Sequence, residues 1–343
     1  MFILKANLSN NLNKNRNELY DVLPLSTPYS MFIDVCNACN FKCKFCAVQY
    51  AKKELKFKRM CMTYENFKKI IDDLKGFSQP LKMMRLYGNG EPLLNKDLPK
   101  MIEYAKKSGV TEWVEIVTNA SLLSPELNKE LADSGLDRIR ISIEGLDAES
   151  YEQISSAKID WDNFVGNIRD FYNNKKQCEV YIKTVDAAVQ EHQNEEKFFS
   201  TFGDICDKIF VENIAPLWAG YDKLETDFSI SKEKGLNGLP VKDVAVCPFP
   251  FYTCMINPDG EVTACCADWE RKIFYGNALE ENICDIWNGK KHNGFLMGIL
   301  LTKIRGGIEN VCSECKYPCY NAVDNLDDHA SDILEKFERS LKV

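Results

Sequence analysis

Short apolar segments alternate with amphipathic ones over the first two thirds of the chain, a pattern that predicts repeated strand-helix units and a mostly parallel α/β sheet. Six strand candidates stand out: "SMFIDV" from Ser30, "MMRLYG" from Met83, "WVEIVTN" from Trp113, "RIRISIEG" from Arg138, "EVYIKTV" from Glu179 and "KIFVEN" from Lys208. Helical stretches run between them. In "TYENFKKIIDDLK", Phe67, Ile70, Ile71 and Leu74 fall on one stripe and Thr63 is placed to cap the first turn. Strand alternation sorts the side chains further. Ile139, Ile141 and Ile143 share the face expected to meet the outer helices, so Arg140, Ser142 and Glu144 share the opposite one. On the next strand Val180 and Ile182 point outward and Tyr181 and Lys183 inward. From about residue 220 the pattern changes to "CPFPFYTCMINPDGEVTACCAD". There Pro258, Asp259 and Gly260 mark a tight turn between two short strands, and a second, smaller unit is expected.

Composition narrows the class. The 343 residues, 45% hydrophobic and 27% charged, suffice for one large core or two unequal ones. The apolar run "GFLMGILL" is too short to cross a bilayer, and "MFILK" turns polar before a signal-peptide core forms. A cytoplasmic protein without membrane contact is therefore expected. A net charge of -8 argues against a nucleic-acid surface. The basic stretch "KKELKFKR", residues 52–59, reads as a solvated loop or an attraction for an anionic substrate.

Fifteen cysteines in such a chain point to metal or redox chemistry. Cys39, Cys43 and Cys46 form C-x3-C-x2-C directly after the first strand, at the edge where barrel chemistry sits. Three thiolates can hold three irons of a 4Fe-4S cube and leave the fourth iron open. Zinc is the competing reading, but it wants four closed ligands, and His192, His292 and His329 lie far away in sequence.

On these residues the chain resembles the radical S-adenosylmethionine superfamily. The resemblance implies a partial (β/α)6 TIM-type barrel in which Cys39, Cys43 and Cys46 ligate the cluster. Its open iron chelates S-adenosyl-L-methionine, and an electron from it releases a 5'-deoxyadenosyl radical. Phe45 would then lie against the adenine. "YGNGEPLL" looks like the family's glycine-rich turn, with Gly88, Gly90 and Glu91 receiving the methionine amino group, and Asn89 departs from the commonest pattern. "VTNASLL" and "ISIEG" resemble the ends of the third and fourth strands, which assigns Asn119 and Ser142 to the cofactor. An external reductant such as flavodoxin or ferredoxin is implied as a partner.

Cys247 and Cys265 lie on either side of the predicted hairpin, and Cys312 and Cys315 follow as C-x2-C. Four thiolates close a second site, for a cluster or for structural zinc. With "DGEVTACC" and "NICDIWNG" this resembles the SPASM domain and its one-cluster form, Twitch. Only Cys319 follows Cys315, which favours one auxiliary 4Fe-4S cluster. Cys266 is an alternative to Cys265, and Cys319 is a further spare. Cys36, Cys61, Cys178, Cys206, Cys254, Cys266, Cys284 and Cys319 read as buried small hydrophobes. The expected organisation is an N-terminal extension over 1–27, the barrel over 28–225, the auxiliary domain over 240–325 and a C-terminal helix over 326–343. Two clusters imply an oxidation, and the pattern resembles enzymes that oxidise a secondary alcohol of a sugar-like small molecule. Lys183 is the candidate base, with Arg140 and Glu144 competing for the role. Peptide maturation and sugar epimerisation are the alternatives, and a non-catalytic electron carrier is a third. Twenty-nine residues precede Ser30, which leaves no room for a peptide-binding domain ahead of the barrel.

Overall fold

A computed structural model describes residues 5–10, 17–46, 57–190, 192–216, 230–306, 312–321 and 323–340. Most of the basic stretch, residues 52–56, lies outside them. The strands are β1 (Asn7–Leu8), β2 (Ser30–Ile33), β3 (Leu81–Arg85), β4 (Thr111–Thr118), β5 (Arg138–Ile143), β6 (Glu179–Val185), β7 (Lys208–Glu212), β8 (Thr253–Ile256), β9 (Glu261–Thr263) and β10 (Phe274–Asn277). They form one sheet in the order β1-β7-β6-β5-β4-β3-β2-β8-β9-β10. The pairings from β1 to β8 are parallel, and β9 and β10 are antiparallel additions. The expected mixed fold with a mostly parallel sheet is thus present.

The long helices are α1 (Tyr64–Leu74), α2 (Leu98–Ser108), α3 (Pro125–Asp133), α4 (Ala148–Ser155), α5 (Trp161–Asn174), α6 (His192–Phe202), α7 (Lys290–Arg305) and α8 (Ala330–Ser340). Their starts follow from the sequence. Thr63 Oγ1 accepts from Asn66 N at 3.2 Å, and α1 buries the predicted stripe of Phe67, Ile70, Ile71 and Leu74. At α4, Asp147 and Ser150 satisfy each other's backbone N–H groups in a capping box. The outward strand residues Ile139, Ile141, Ile143, Val180 and Ile182 are fully buried with Leu131, Ile168 and Phe171 in one continuous core. Hydrophobic alternation on β5 and β6 therefore holds, and the opposite faces leave a polar lumen.

Three features depart from the sequence reading. The N-terminal extension is built in: β1 extends the sheet beside β7, and Leu19 and Leu23 pack with Ile333, Leu334 and Phe337 in a second core. The hairpin is not a detached unit, because β8 runs parallel to β2 with Ser30 opposite Thr253 and Ile33 opposite Ile256. Pairing between distant strands leaves no local trace in sequence. Finally, the uniform reading of the spare cysteines is corrected. Cys178, Cys206 and Cys254 are buried, but Cys266, Cys284 and Cys319 are half-buried, and Cys36 and Cys61 form a disulfide across an antiparallel bridge with Cα atoms 4.0 Å apart.

If β8 belongs to the barrel sheet energetically as well, Ile256→Ala should cost about 2–5 kcal/mol. Hydrogen exchange should then show lost protection in Ser30–Ile33 together with Thr253–Ile256. Lost protection confined to the hairpin would mean that the two units unfold independently.

Candidate functional site

The cysteine loop leaves β2 at the C-terminal edge of the sheet and is pinned from three sides. Lys42 N and Lys44 N donate to Ser155 O and Ile154 O at the end of α4, at 2.8 and 3.0 Å. Asn37 exchanges backbone and side-chain hydrogen bonds with Met60 and Lys58 on the returning chain. On the third side lies the glycine turn after β3, where Glu91 N donates to Ala38 O at 2.8 Å. A Cβ on Gly90 would lie 2.3 Å from both Ala38 O and Cys36 O, so only glycine permits this approach.

Cys39, Cys43 and Cys46 converge on the loop and interact electrostatically. Burial pushes the Cys39 thiol up to about 11 and Cys43 higher still, with Glu144 adding to the effect at both. Uncompensated thiolates are costly in such a place, and a cationic iron centre offsets that cost. The donor set and its burial therefore suit an iron-sulfur cluster. Phe45 is half-buried on the same loop. Gly88, Gly90, Asn119 and Ser142 lie around the mouth, with Ser142 opposite Lys183 across the β5–β6 pairing.

Glu91 is held by three hydrogen bonds. Its Oε1 accepts from Thr118 Oγ1 at 2.6 Å and Leu93 N at 3.0 Å, and its Oε2 from Asn119 N at 2.8 Å. Burial pushes this carboxyl up to about 7 against those bonds. These three bonds fix the turn and leave acceptor capacity on Oε2. Asn119 carries the link onward, donating from Nδ2 to Asn40 Oδ1 of the cysteine loop at 2.9 Å.

The lumen holds two ion networks. Glu115 accepts from Tyr87 Oη at 2.9 Å and Arg138 Nη1 at 3.1 Å, and Arg138 and Lys208 share Glu179. Burial alone would raise Glu115, but Arg140, Arg85 and Arg138 outweigh it and hold it below the ordinary carboxylate range. Nearer the mouth, Glu212 bridges Lys183 at 2.5 Å and Arg140 at 3.2 Å. Glu144 is a buried carboxyl to which no described residue donates a side-chain hydrogen bond. Burial pushes it up to about 7, Lys183 opposes the rise and Glu212 adds to it. Lys183 and Arg140 thus share the Glu212 carboxylate, and Glu144 faces the lumen beside them. Glu212, Glu115, Arg85 and Tyr87 were not singled out from sequence. Glu115 and Tyr87 follow from the same alternation rule applied to β4 and the end of β3, whereas their ion pairs depend on neighbouring strands.

A second thiol group lies beside the hairpin. Cys247 is raised by burial and then by Cys312, Cys315 and Cys266, and Cys265 by burial and then by Cys266, Cys247 and Cys312. The four cysteines expected as ligands thus act on one another electrostatically, as does Cys266, whose Sγ lies 3.8 Å from Tyr317 Oη. Cys319 acts on Cys315. Asp268, also missed in the sequence, accepts from Lys272 N and Ile273 N and shapes the loop after Cys265. His292 is not near the thiols. Its ring bonds to Trp287 O and Pro250 O.

Residues 33–201 match the Radical SAM superfamily, and residues 247–316 match the SPASM iron-sulfur cluster-binding domain. An Fe-coproporphyrin III synthase of Methanosarcina barkeri is 36% identical over 108 residues, which is 32% of this chain. The chain spans a quarter of that relative's length, 25%. Among solved structures, BtrN in complex with AdoMet and 2-DOIA aligns with a TM-score of 0.50 at 18% identity, covering 84% of this chain and 92% of BtrN. Streptococcus suis SuiB bound to precursor peptide SuiA aligns with a TM-score of 0.61 at 15% identity, covering 90% of this chain and 74% of SuiB. At these identities the structural likeness speaks for the fold.

Two outcomes follow from the geometry. Gly90→Ala should displace the cysteine loop and lower S-adenosylmethionine cleavage by about a hundredfold, with circular dichroism unchanged. Because the folded Glu144 carboxyl titrates near 7 instead of 4.5, its stabilisation is full below its ordinary value and is lost as pH rises through 7. Glu144→Gln should therefore flatten the fall in stability of the cluster-free protein between pH 5 and 8, an effect on the order of 3 kcal/mol. An unchanged slope in thermal melts would show that Glu144 is better solvated than its surroundings imply.

Proposed function

Because the chain is a radical S-adenosylmethionine enzyme with a C-terminal SPASM domain, we propose that it oxidises a secondary alcohol of a sugar- or cyclitol-like molecule to a ketone. The observation that carries this reading is the pair of thiol groups. A three-cysteine loop follows β2, and a second set of thiols that interact electrostatically, Cys247, Cys265, Cys312 and Cys315, lies in the loops around the β8–β9 hairpin, with a polar, titratable lumen beside the first. A second group gives an oxidation somewhere to send its second electron. When bound, the cluster on Cys39, Cys43 and Cys46 and its S-adenosylmethionine supply the 5'-deoxyadenosyl radical, and the auxiliary cluster supplies an electron acceptor.

The chain's own residues then have three tasks. The substrate C–H would give its hydrogen atom to the 5'-deoxyadenosyl radical, forming 5'-deoxyadenosine, the Glu144 carboxylate would take the hydroxyl proton, and Cys247, Cys265, Cys312 and Cys315 would hold the group that accepts the remaining electron, so that a C=O bond is left. Deprotonation matters because it makes a carbon radical next to oxygen a far stronger reductant. Arg140 and Lys183, fixed by Glu212, orient the hydroxyl groups. Phe45, Gly88, Gly90, Asn119 and Ser142 hold the cofactor.

Anaerobically reconstituted protein should contain about eight irons, and a Cys39→Ala, Cys43→Ala, Cys46→Ala variant about four. Stoichiometric zinc with about four irons in the wild type would remove the acceptor and the oxidation reading with it. Glu144→Gln should still pass deuterium from labelled substrate into 5'-deoxyadenosine while ketone formation falls by about a hundredfold. In the wild type, ketone formation should rise with pH through about 7 as the carboxylate form fills. Product at the wild-type rate in Glu144→Gln would return the role of base to Lys183. Undiminished product after replacement of Cys312 and Cys315 would favour epimerisation or peptide modification.

A further inference from the structure

We propose that the side-on edge of Arg271, together with the Asn89 side-chain amide, is a carboxylate-binding site for the substrate, set in the seam between the barrel mouth and the auxiliary hairpin. The inference rests on the alcohol-oxidation reading and narrows its substrate class to a carboxylate-bearing sugar or cyclitol.

Arg271 lies in the loop from β9 to β10, and its side chain is only 5% exposed. Its backbone is held at φ 55°, a left-handed conformation that a non-glycine residue keeps only when its surroundings fix it. Nη1 donates to Asp259 Oδ2 at 2.5 Å and to Glu261 Oε2 at 3.0 Å, and the guanidinium lies 3.8 Å over the Phe57 ring. Nε and Nη2 are buried and have no acceptor. These two groups are the parallel donors that fit the two oxygens of a carboxylate, and an arginine whose opposite edge is already tied down presents them in a fixed plane.

Asn89 supplies a second, independent donor. Its Nδ2 is buried and also without an acceptor, while its backbone N donates to Asp34 Oδ2 at 3.1 Å. Asp34 N in turn donates at 2.8 Å to Ile256 O at the end of β8, the strand that runs into the Asp259 turn holding Arg271, so both donors lie at the β2–β8 join. The seam is tight: a Cβ on Gly88 would lie 2.7 Å from Asp34 Cγ and 2.4 Å from Met255 Cε on β8. Asp259 and Glu261 neutralise Arg271 from the wetter side, with side chains 30% and 40% exposed. Solvent screens those pairs, whereas the open edge lies where water does not reach. A carboxylate satisfies both arginine donors at once. A primary amide offers one oxygen and turns its own N–H groups toward donors, so the site discriminates between the two.

The test titrates the reconstituted protein with benzoate and with benzamide, read by ligand-observed NMR without turnover. Wild type should bind benzoate saturably and at least about tenfold tighter than benzamide. Arg271→Lys keeps the charge but loses the planar edge, and should weaken benzoate about tenfold. Asn89→Ala should weaken it severalfold. Equal affinity for the two probes in the wild type, or unchanged benzoate affinity in Arg271→Lys, overturns the site. Displacement of benzoate by S-adenosylmethionine would assign the edge to the cofactor's carboxylate and overturn it equally. A protein that binds benzoate as expected yet makes no ketone from any sugar acid sinks the oxidation reading alone. One that oxidises neutral cyclitols and ignores benzoate sinks the carboxylate site alone.

Discussion

The approach of two backbones governs this structure. Gly90 fits against the carbonyls of Ala38 and Cys36 with no space for a side chain, and the neighbouring Glu91 amide bonds to one of them. That contact gives a thiol-bearing loop of irregular backbone a fixed shape before any metal arrives. Everything around it serves the same end. Glu91 uses its carboxylate to tie the glycine turn to the end of β4, and Asn119 passes the restraint back to Asn40 on the loop. The result is a closed circuit of hydrogen bonds running through strand ends, so the cysteines are placed by the sheet and not by their own loop.

Beneath that mouth the lumen solves a different problem. A parallel barrel this small is ordinarily filled with apolar side chains, yet this one carries arginines, lysines and glutamates. Most are tolerated because opposite charges meet across neighbouring strands: Arg138 lies between Glu115 and Glu179, and Glu212 on β7 pairs with Lys183 on the next strand and with Arg140 one strand beyond. Such networks add little net stability over an apolar filling. What they provide is a set of fixed dipoles and cations around a space where a polar substrate must give up its water.

Much of this was legible in the sequence. The six barrel strands, the α1 stripe, the Thr63 cap and the hairpin turn at Pro258 to Gly260 are local in origin, set by side-chain period and turn chemistry. The three-cysteine loop was legible because its ligands are close in sequence. Less could be read where the cause is distant. Nothing around Asn7 announces a strand completed by Lys208, and nothing near Thr253 announces Ser30 as its neighbour. Lys183 looked like a base because alternation points it inward, and only the pairing of β6 with β7 reveals Glu212 beside it. The bonds that hold Glu91 are hidden for the same reason: its partners Thr118 and Asn119 come from β4 and the residue after it.

The join between β2 and β8 bears on how electrons travel. β2 leads into the first thiol group and β8 into the hairpin that carries the second, and the two strands are direct neighbours in one ladder. Their separation is the spacing of hydrogen-bonded strands, about 4.8 Å, a length that thermal motion changes very little. Tunnelling rates fall exponentially with distance, so two redox centres hung on a flexible linker would exchange electrons at a rate averaged over many geometries. If the two thiol groups hold the proposed clusters, the β2–β8 ladder ties the strands leading toward them to one fixed spacing.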